Sequence, residues 1–322
     1  MPIVPPTSKN IKIACELLKK GEVIAFPTET VYGLGAIVFN EKAVAKIFEM
    51  KRRPYFDPLI VHIADINMLE DLCYFNEKAQ ILAKKFWPGP LTMILPKKEK
   101  VPSLVTAGLS TVAVRMPAHK VALQLIKTCG IPIAAPSANP FGKLSPTKPE
   151  HVYKYFGEEL FIIDGGKCDI GLESTIIDLT EKNPVILRPG AITPEELEKV
   201  LGKIEINTCF KSQPKSPGNL KKHYAPNTPI KIIDNKKTTL NFYDKKIGYI
   251  AFSKPPSEKY EVVKILSPSK DLKEAATNLF DFLHELDKLG LDLILVEALP
   301  EQGLGIAIMD RLRKAEATFI QN

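Results

Sequence analysis

The segment VIAFPTETVYGLGA, residues 23–36, decides how the rest of the chain is read. Val23 to Phe26 is a short apolar run that stops at Pro27, as a buried strand entering a loop does. Two hydroxyls, an acid, a tyrosine and two glycines follow directly. Gly33 and Gly35 suit a turn with positive φ, but Thr28, Glu29, Thr30 and Tyr32 together exceed what a turn requires. Outward from this segment helix and strand patterns interleave. Upstream, Ser8 is the expected N-cap and Gly21 the expected C′ residue of a helix with Ile11, Ala14, Cys15 and Leu18 on its apolar face. Downstream, periodicity predicts helices over 43–50, 77–86, 120–129 and 149–156. Strands are predicted over 59–63, 91–95, 112–116, 131–135, 160–163, 175–179 and 185–187. Thr193-Pro194-Glu195-Glu196 is a helix start, with a hydroxyl cap, proline at the first position and acids facing the dipole. Residues 1–206 thus read as one mixed α/β domain.

From 207 to 229 the pattern lapses into NTCFKSQPKSPGNLKKHYAPNTP, a linker rich in Pro, Ser, Lys and Asn. A second unit, 230–322, then carries strand-like runs at 230–233, 247–252, 262–266 and 293–296. Between the last two lies the longest expected helix, 271–289, with Ala275, Leu279, Phe282, Leu283 and Leu286 on one face; another spans 306–317. This reads as a small Rossmann-like α/β domain, without the GxGxxG of a dinucleotide binder.

The 322 residues fit about two domains, and 45% apolar with 25% charged residues excludes a disordered or fibrous chain. The excess of 44 basic over 37 acidic residues, +7, is mild and scattered; a lysine-rich solvated surface explains it, and attraction to phosphates is the sharper alternative. Five well-separated cysteines (Cys15, Cys73, Cys129, Cys168, Cys209) with no CxxC pair suit reduced thiols in a cytoplasmic protein. The N-terminus lacks the apolar run of a signal peptide, and no stretch approaches the ~18–20 apolar residues of a membrane span. There is no GxxxxGK[ST], GxSxG or HExxH, and His62, His119, His151, His223 and His284 have no metal-ligand spacing.

What remains is a set of polar clusters. In KRRPYFDPLIVHI, residues 51–63, cations end a helix and two prolines stiffen the arm that carries Lys51 and Arg53. In STVAVRMP, residues 110–117, alternation puts Thr111, Ala113 and Arg115 on one face, and a buried Arg115 needs a carboxylate partner. APSANPFGKLSPT, residues 135–147, runs from a strand into Ser, Asn and Thr, where open α/β sheets bind ligands. LESTIIDL and VILRPGAIT add Thr175 and Arg188, with Asp178 the expected structural partner of one of the two arginines. No nucleophile–base pair stands out. The inventory suits an enzyme that aligns two anionic substrates and stabilises charge.

In order and spacing, FPTETVYGLGA, KRRPYFDPL, APSANPFGKLSPT, ESTIIDL and LRPGAIT resemble the motifs of the YrdC-like threonylcarbamoyl-AMP synthases. SPGNLKKHYAP with the unit after it is similar to that family's longer, two-domain form. The resemblance implies a twisted mixed sheet around a large concave, positively charged cavity. It implies synthesis of threonylcarbamoyl-AMP and pyrophosphate from L-threonine, bicarbonate and ATP, with Mg²⁺ carried by the triphosphate. The product would feed the tRNA threonylcarbamoyl-transferase machinery, which modifies adenosine beside the anticodon. Carried over by motif, Thr30, His62, Arg115 and Thr175 would hold threonine, with Arg115 on its carboxylate. Lys51, Arg53, Asp57, Thr111, Ser137, Asn139, Ser145 and Arg188 would surround ATP, and His223 and Tyr224 would fold over it as a lid. Asp57 stands where the family pattern has Asn; a carboxylate cannot donate to phosphate, so Asp57 is expected on Mg²⁺, on a ribose hydroxyl or on Arg53. Two alternatives compete. One is a non-catalytic RNA-binding protein using the basic concave face. The other is carbamoyl-adenylate formation for another acceptor, as in hydrogenase maturation proteins, whose zinc-finger cysteine pairs are missing here.

Overall fold

The computed structural model describes residues 3–207, 216–218, 220, 223–234 and 245–320. The first unit runs β1 (Ile3–Val4), α1 (Ser8–Lys19), β2 (Ile24–Phe26), β3 (Gly33–Ile37), α2 (Glu41–Lys51), β4 (Ile60–His62), α3 (Glu77–Phe86), β5 (Leu91–Pro96) and β6 (Thr111–Arg115). It continues through α4 (Lys120–Cys129), β7 (Ile133–Ala134), α5 (Pro149–Phe156), β8 (Phe161–Ile163), β9 (Thr175–Asp178), β10 (Val185–Arg188), α6 (Pro194–Leu201) and β11 (Glu205–Ile206). These strands form one mixed sheet in the order β1-β8-β2-β3-β7-β4-β6-β5-β9-β10-β11. The second unit has β12 (Ile230–Ile233), β13 (Ile247–Ala251), β14 (Val262–Ile265), α7 (Leu272–Leu286), β15 (Leu293–Glu297) and α8 (Leu304–Glu316). Its four strands are all parallel, in the order β12-β15-β13-β14.

Strand alternation sorts the large sheet into two faces. Ala25, Leu34, Val61, Met93, Val112, Val114 and Ile177 join α2, α3 and α6 in the main core. On the opposite face Ile24, Phe26, Ile133 and Ile163 pack under α1 and α4. Further along that face Ile60, Ile94, Ala113, Ile176 and Leu187 make a small separate cluster, and next to it lies the cleft. Because β4 and β6 are parallel with His62 opposite Arg115, both side chains reach the same face at the carboxyl ends of their strands.

Two local expectations are revised. The first helix is capped by Thr7, whose hydroxyl accepts from the Asn10 amide, and Ser8 is already inside it. Gly33 and Gly35 lie in β3, a strand the glycines hid, and neither has positive φ. Their role is space: a Cβ on Gly35 would stand 2.7 Å from the Phe26 ring and 2.8 Å from Ile133. Phe26 thereby packs across the hairpin that presents the Thr28–Thr30 loop.

The second unit is docked tightly. Leu144 and Leu172 of the first unit and Tyr224 of the linker belong to the same buried cluster as Leu279, Phe280 and Leu283 of α7 and Ile308 and Leu312 of α8. Phe280 lies in this core, while Phe282, expected there from the sequence, is only half-buried at its edge. The linker expected over 207–229 falls partly outside the described residues: 208–215, 219 and 221–222 are among those not described.

Candidate active site

The amino-acid half of the cleft grows from the loop after β2 and from the strand ends of β4 and β6. The Thr28 hydroxyl bonds the Thr30 hydroxyl at 2.8 Å and donates to the Val31 carbonyl at 2.6 Å, which fixes the loop. Arg115 Nη1 donates to Thr30 Oγ1 at 3.0 Å and its Nε to the Gly89 carbonyl at 3.3 Å. The carboxylate partner is Glu29, with Nη2 2.7 Å from Oε1 and both side chains buried. Asp178, which the sequence left open as a partner of either Arg115 or Arg188, accepts at its own strand end from the amide and hydroxyl of Thr180. His62 sits edge-on to Phe26, and burial together with the Arg115 charge pushes its pKa down to about 3. A neutral imidazole whose Nδ1 has no hydrogen-bond partner among the described residues is left in the cleft wall.

The cationic half is built at the end of α2. Arg52 adopts φ 51°, and the Arg53 amide turns back to the Phe48 carbonyl, so the chain swings Arg53 into the cleft. Arg53 Nη2 pairs with Asp57 at 2.9 Å and donates to the Pro58 carbonyl at 2.8 Å. Of the three fates expected for Asp57, this geometry is pairing with Arg53. Burial raises the Asp57 pKa against the pull of Arg53, Lys51 and Arg188. Lys51 donates to the carbonyls of Ser137, at 2.6 Å, and Asn139, so the ammonium ties α2 to the 135–147 loop. Burial lowers its pKa well below the usual lysine range, and Arg53 adds to this. Arg188 reaches over β9 to the Ser174 carbonyl (2.9 and 3.1 Å) and to the Pro217 carbonyl of the linker (3.3 Å).

Thr30, Arg53, His62, Arg115, Ser137, Arg188, His223 and Tyr224 therefore converge on one cleft. Several others stand back from it. Thr175 gives its hydroxyl to the Ile192 carbonyl at 2.5 Å, Thr111 lies at the opposite end of β6 from Arg115, and Asn139 donates to the Pro140 and Lys143 carbonyls. The Ser145 hydroxyl donates to Glu173, which does line the cleft. The cleft itself is nearly full. Pro217, Gly218, His223 and Tyr224 sit in it, leaving a cavity of about 50 Å³, well short of the ~300 Å³ of a small ligand pocket.

Glu29 was named in the 26–36 cluster but given no role, Glu173 passed unnamed, and Asp310, Arg311 and Lys314 were missed altogether. The first two lie inside motifs already singled out, so adjacency to the motif was the available signal. The last three belong to α8, where the RLRK run reads like any solvated helix face; only the tertiary fold buries Arg311 and Lys314.

Comparison with known proteins matches this arrangement. Residues 16–190 fit the Sua5/YciO/YrdC family model, described as "Telomere recombination", and residues 192–317 fit the "Threonylcarbamoyl-AMP synthase, C-terminal domain". The threonylcarbamoyl-AMP synthase of Pyrococcus abyssi is 47% identical, covering 95% of this chain and 94% of the relative. That of Bacillus subtilis is 46% identical over 95% of this chain and 92% of its own. The crystal structure of P. abyssi Sua5 complexed with L-threonine superposes with a TM-score of 0.89 at 45% identity, covering 98% of this chain and 97% of that one. The chain belongs to the Sua5/YrdC family of threonylcarbamoyl-AMP synthases, in its two-domain form.

Proposed function

We propose that this cleft makes threonylcarbamoyl-AMP and pyrophosphate from L-threonine, bicarbonate and ATP. The observation that carries the reading is the pairing of two unlike anion sites on one sheet face. Arg115, Thr30 and neutral His62 form a compact polar corner, while Arg53 and Arg188 line the wall beyond it. The corner matches an amino acid: Arg115 takes the carboxylate and the free Nδ1 of His62 meets the side-chain hydroxyl. The more extended cationic wall matches a triphosphate.

The amine of threonine attacks the carbon of bicarbonate, forming the N–C bond of a carbamate as water leaves. A carbamate oxygen then attacks the α-phosphorus, and the bond to the β-phosphate oxygen breaks to release pyrophosphate. No side chain need become covalently attached, so the protein's work is alignment and stabilisation of charge as it builds on the leaving group. Arg53 and Arg188 are the groups placed for that charge, with Lys51 bracing the 135–147 loop behind them. Magnesium would arrive on the triphosphate and neutralise part of its charge. Among the described residues no cluster of three or more His, Cys, Asp or Glu could hold a metal ion, and Asp57 and Glu173 are each engaged by an arginine. This donor set fits an ion chelated mainly by phosphate oxygens.

Tyr224 and His223 act as a lid that leaves when ATP enters and returns to exclude water. The product would pass to the transferase machinery that modifies tRNA adenosine, placing the enzyme in the cytoplasm. No helix among the described residues is long and apolar enough to cross a membrane. The test is pyrophosphate release from ATP. Release that requires both threonine and bicarbonate supports the reading. ATP-independent RNA binding that weakens steeply with salt, with no release, would replace it by the RNA-binding alternative.

A further inference from the structure

Helix α8 belongs to the second unit, yet its side chains bond residues that line the cleft of the first. Arg311 is 1% exposed, and its Nε donates to Glu173 Oε2 at 2.8 Å. Glu173 lines the cleft, and its other oxygen accepts from Ser145. Burial opposes ionisation of Glu173, but Arg311 and Arg188 outweigh it and hold the carboxyl below its ordinary range. A buried carboxylate therefore faces the same space as Arg188, and the charge that cancels it comes from the other domain. The Arg311 guanidinium also lies 5.0 Å from the centre of the Tyr224 ring. One turn on, Lys314 pairs with Asp310 at 2.9 Å and donates to the Gly218 carbonyl at 2.8 Å, so α8 also holds the linker backbone at Gly218.

We propose that Arg311 is a positioning residue for the nucleotide half of the site, neutralising Glu173 so that a polyphosphate can be accepted there. This rests on the function proposed above and goes beyond it by giving the second domain a defined part in ATP binding. Without Arg311 the Glu173 charge would face the incoming phosphates unpaired, and like charges in a buried setting repel strongly. With it, the cleft can bind a polyanion only while the second domain is docked. The amino-acid corner is built from Glu29, Thr30, His62 and Arg115, all of the first domain, and does not depend on this pair.

The test compares Arg311→Met, Arg311→Lys and the double variant Arg311→Met/Glu173→Gln with the unaltered full-length protein. MgATP and threonine binding are each measured by calorimetry, alongside KM values from pyrophosphate release. Arg311→Met should weaken ATP on the order of 10- to 100-fold while threonine binding stays within about twofold. Arg311→Lys should recover part of the loss. The double variant should recover most of it, because Gln removes the charge that had no partner. ATP affinity in Arg311→Met within about twofold of the unaltered protein would overturn the proposal. So would a double variant as weak as the single one, or equal losses for both substrates tracking a lowered Tm. Calorimetric ATP binding tests this point even if no pyrophosphate is released, an outcome that would count only against the proposed reaction.

Discussion

Mild acid should loosen the seam between the two domains, and the amount follows from two stacked histidines. His151 on α5 and His284 on α7 face each other with ring centres 3.8 Å apart, both buried. Around them stand Asp281 with Lys148 (2.7 Å) and Lys167 (2.9 Å), Asp287 with Lys154 (3.5 Å), and Tyr155 edge-on to His284. Lys288 adds a further positive charge to the surroundings of both rings. His284 Nε2 meets the Ser145 carbonyl at 3.1 Å, so that nitrogen is the donor. Burial, followed for His151 by the facing His284, pushes the pKa values down from 6.5 to about 2 and about 4.

The unfolded chain therefore binds more protons than the folded one below pH 6.5, and stability present above that value is lost as pH falls towards 4. Between pH 7.5 and 5.5 each histidine costs about 1.4 kcal/mol, or about 3 kcal/mol for the pair. His62 and His223, also buried with lowered pKa values, act in the same direction. For a chain of this length about 1.4 kcal/mol corresponds to a Tm shift of about 2 °C, so the pair accounts for about 4 °C. The assay is Tm against pH for the unaltered protein and for His284→Gln, whose amide can still donate to Ser145. The variant should lose about 2 °C of the acid-induced drop. Parallel curves for the two proteins, or a Tm that rises towards pH 5.5, would refute the reasoning.

Three further outcomes follow from the site and its supports. Asp57→Asn removes the partner of Arg53 but leaves its carbonyl acceptors, so Tm should fall while the Mg²⁺ dependence of pyrophosphate release stays unchanged; a shifted Mg²⁺ titration would put Asp57 on the metal. Glu29→Gln should raise the KM for threonine about tenfold and leave that for ATP nearly unaltered, because Glu29 orients Arg115 alone among the cleft cations. Gly35→Ala forces a methyl against Phe26 and Ile133 and should cost about 1–3 kcal/mol, read by urea denaturation as a lower midpoint at constant slope.

Most helices and strands could be located from the sequence because their signals are local. The helix of 120–129 and the helix start at Thr193 follow from periodicity and caps, and both stand where expected. The strand β3 was lost because its two glycines read as turn residues, and only the packing of Phe26 across the hairpin explains them. The site was legible in the same uneven way. Arg115 and His62 could be paired once β4 and β6 were parallel neighbours, but the partner of Arg115 could not be chosen from sequence. Glu29 lies 86 positions from it, and a charge pair has no periodicity. Thr111 and Thr175 illustrate the converse, since motif membership does not say which end of a strand, or which loop, a hydroxyl will serve.

The cleft is also less simply basic than its motifs suggest. Arg53 is matched by Asp57, Arg115 by Glu29 and Arg311 by Glu173, while Arg188 is held by carbonyls. A bare cluster of guanidinium groups would repel itself and bind any phosphate that diffused in. Pairing each arginine fixes its direction before a substrate arrives, so that a ligand of matching geometry gains most. Arg188 is the exception: among the described residues no carboxylate is paired with it, and it touches both the Ser174 carbonyl just before β9 and the linker at Pro217. An entering phosphate would therefore meet Arg188 with least competition, and the contact it would loosen is one that holds Pro217, the linker residue just before Gly218, in the cleft. Under the proposed function, nucleotide entry and movement of Pro217 would be one event, because the same guanidinium serves both.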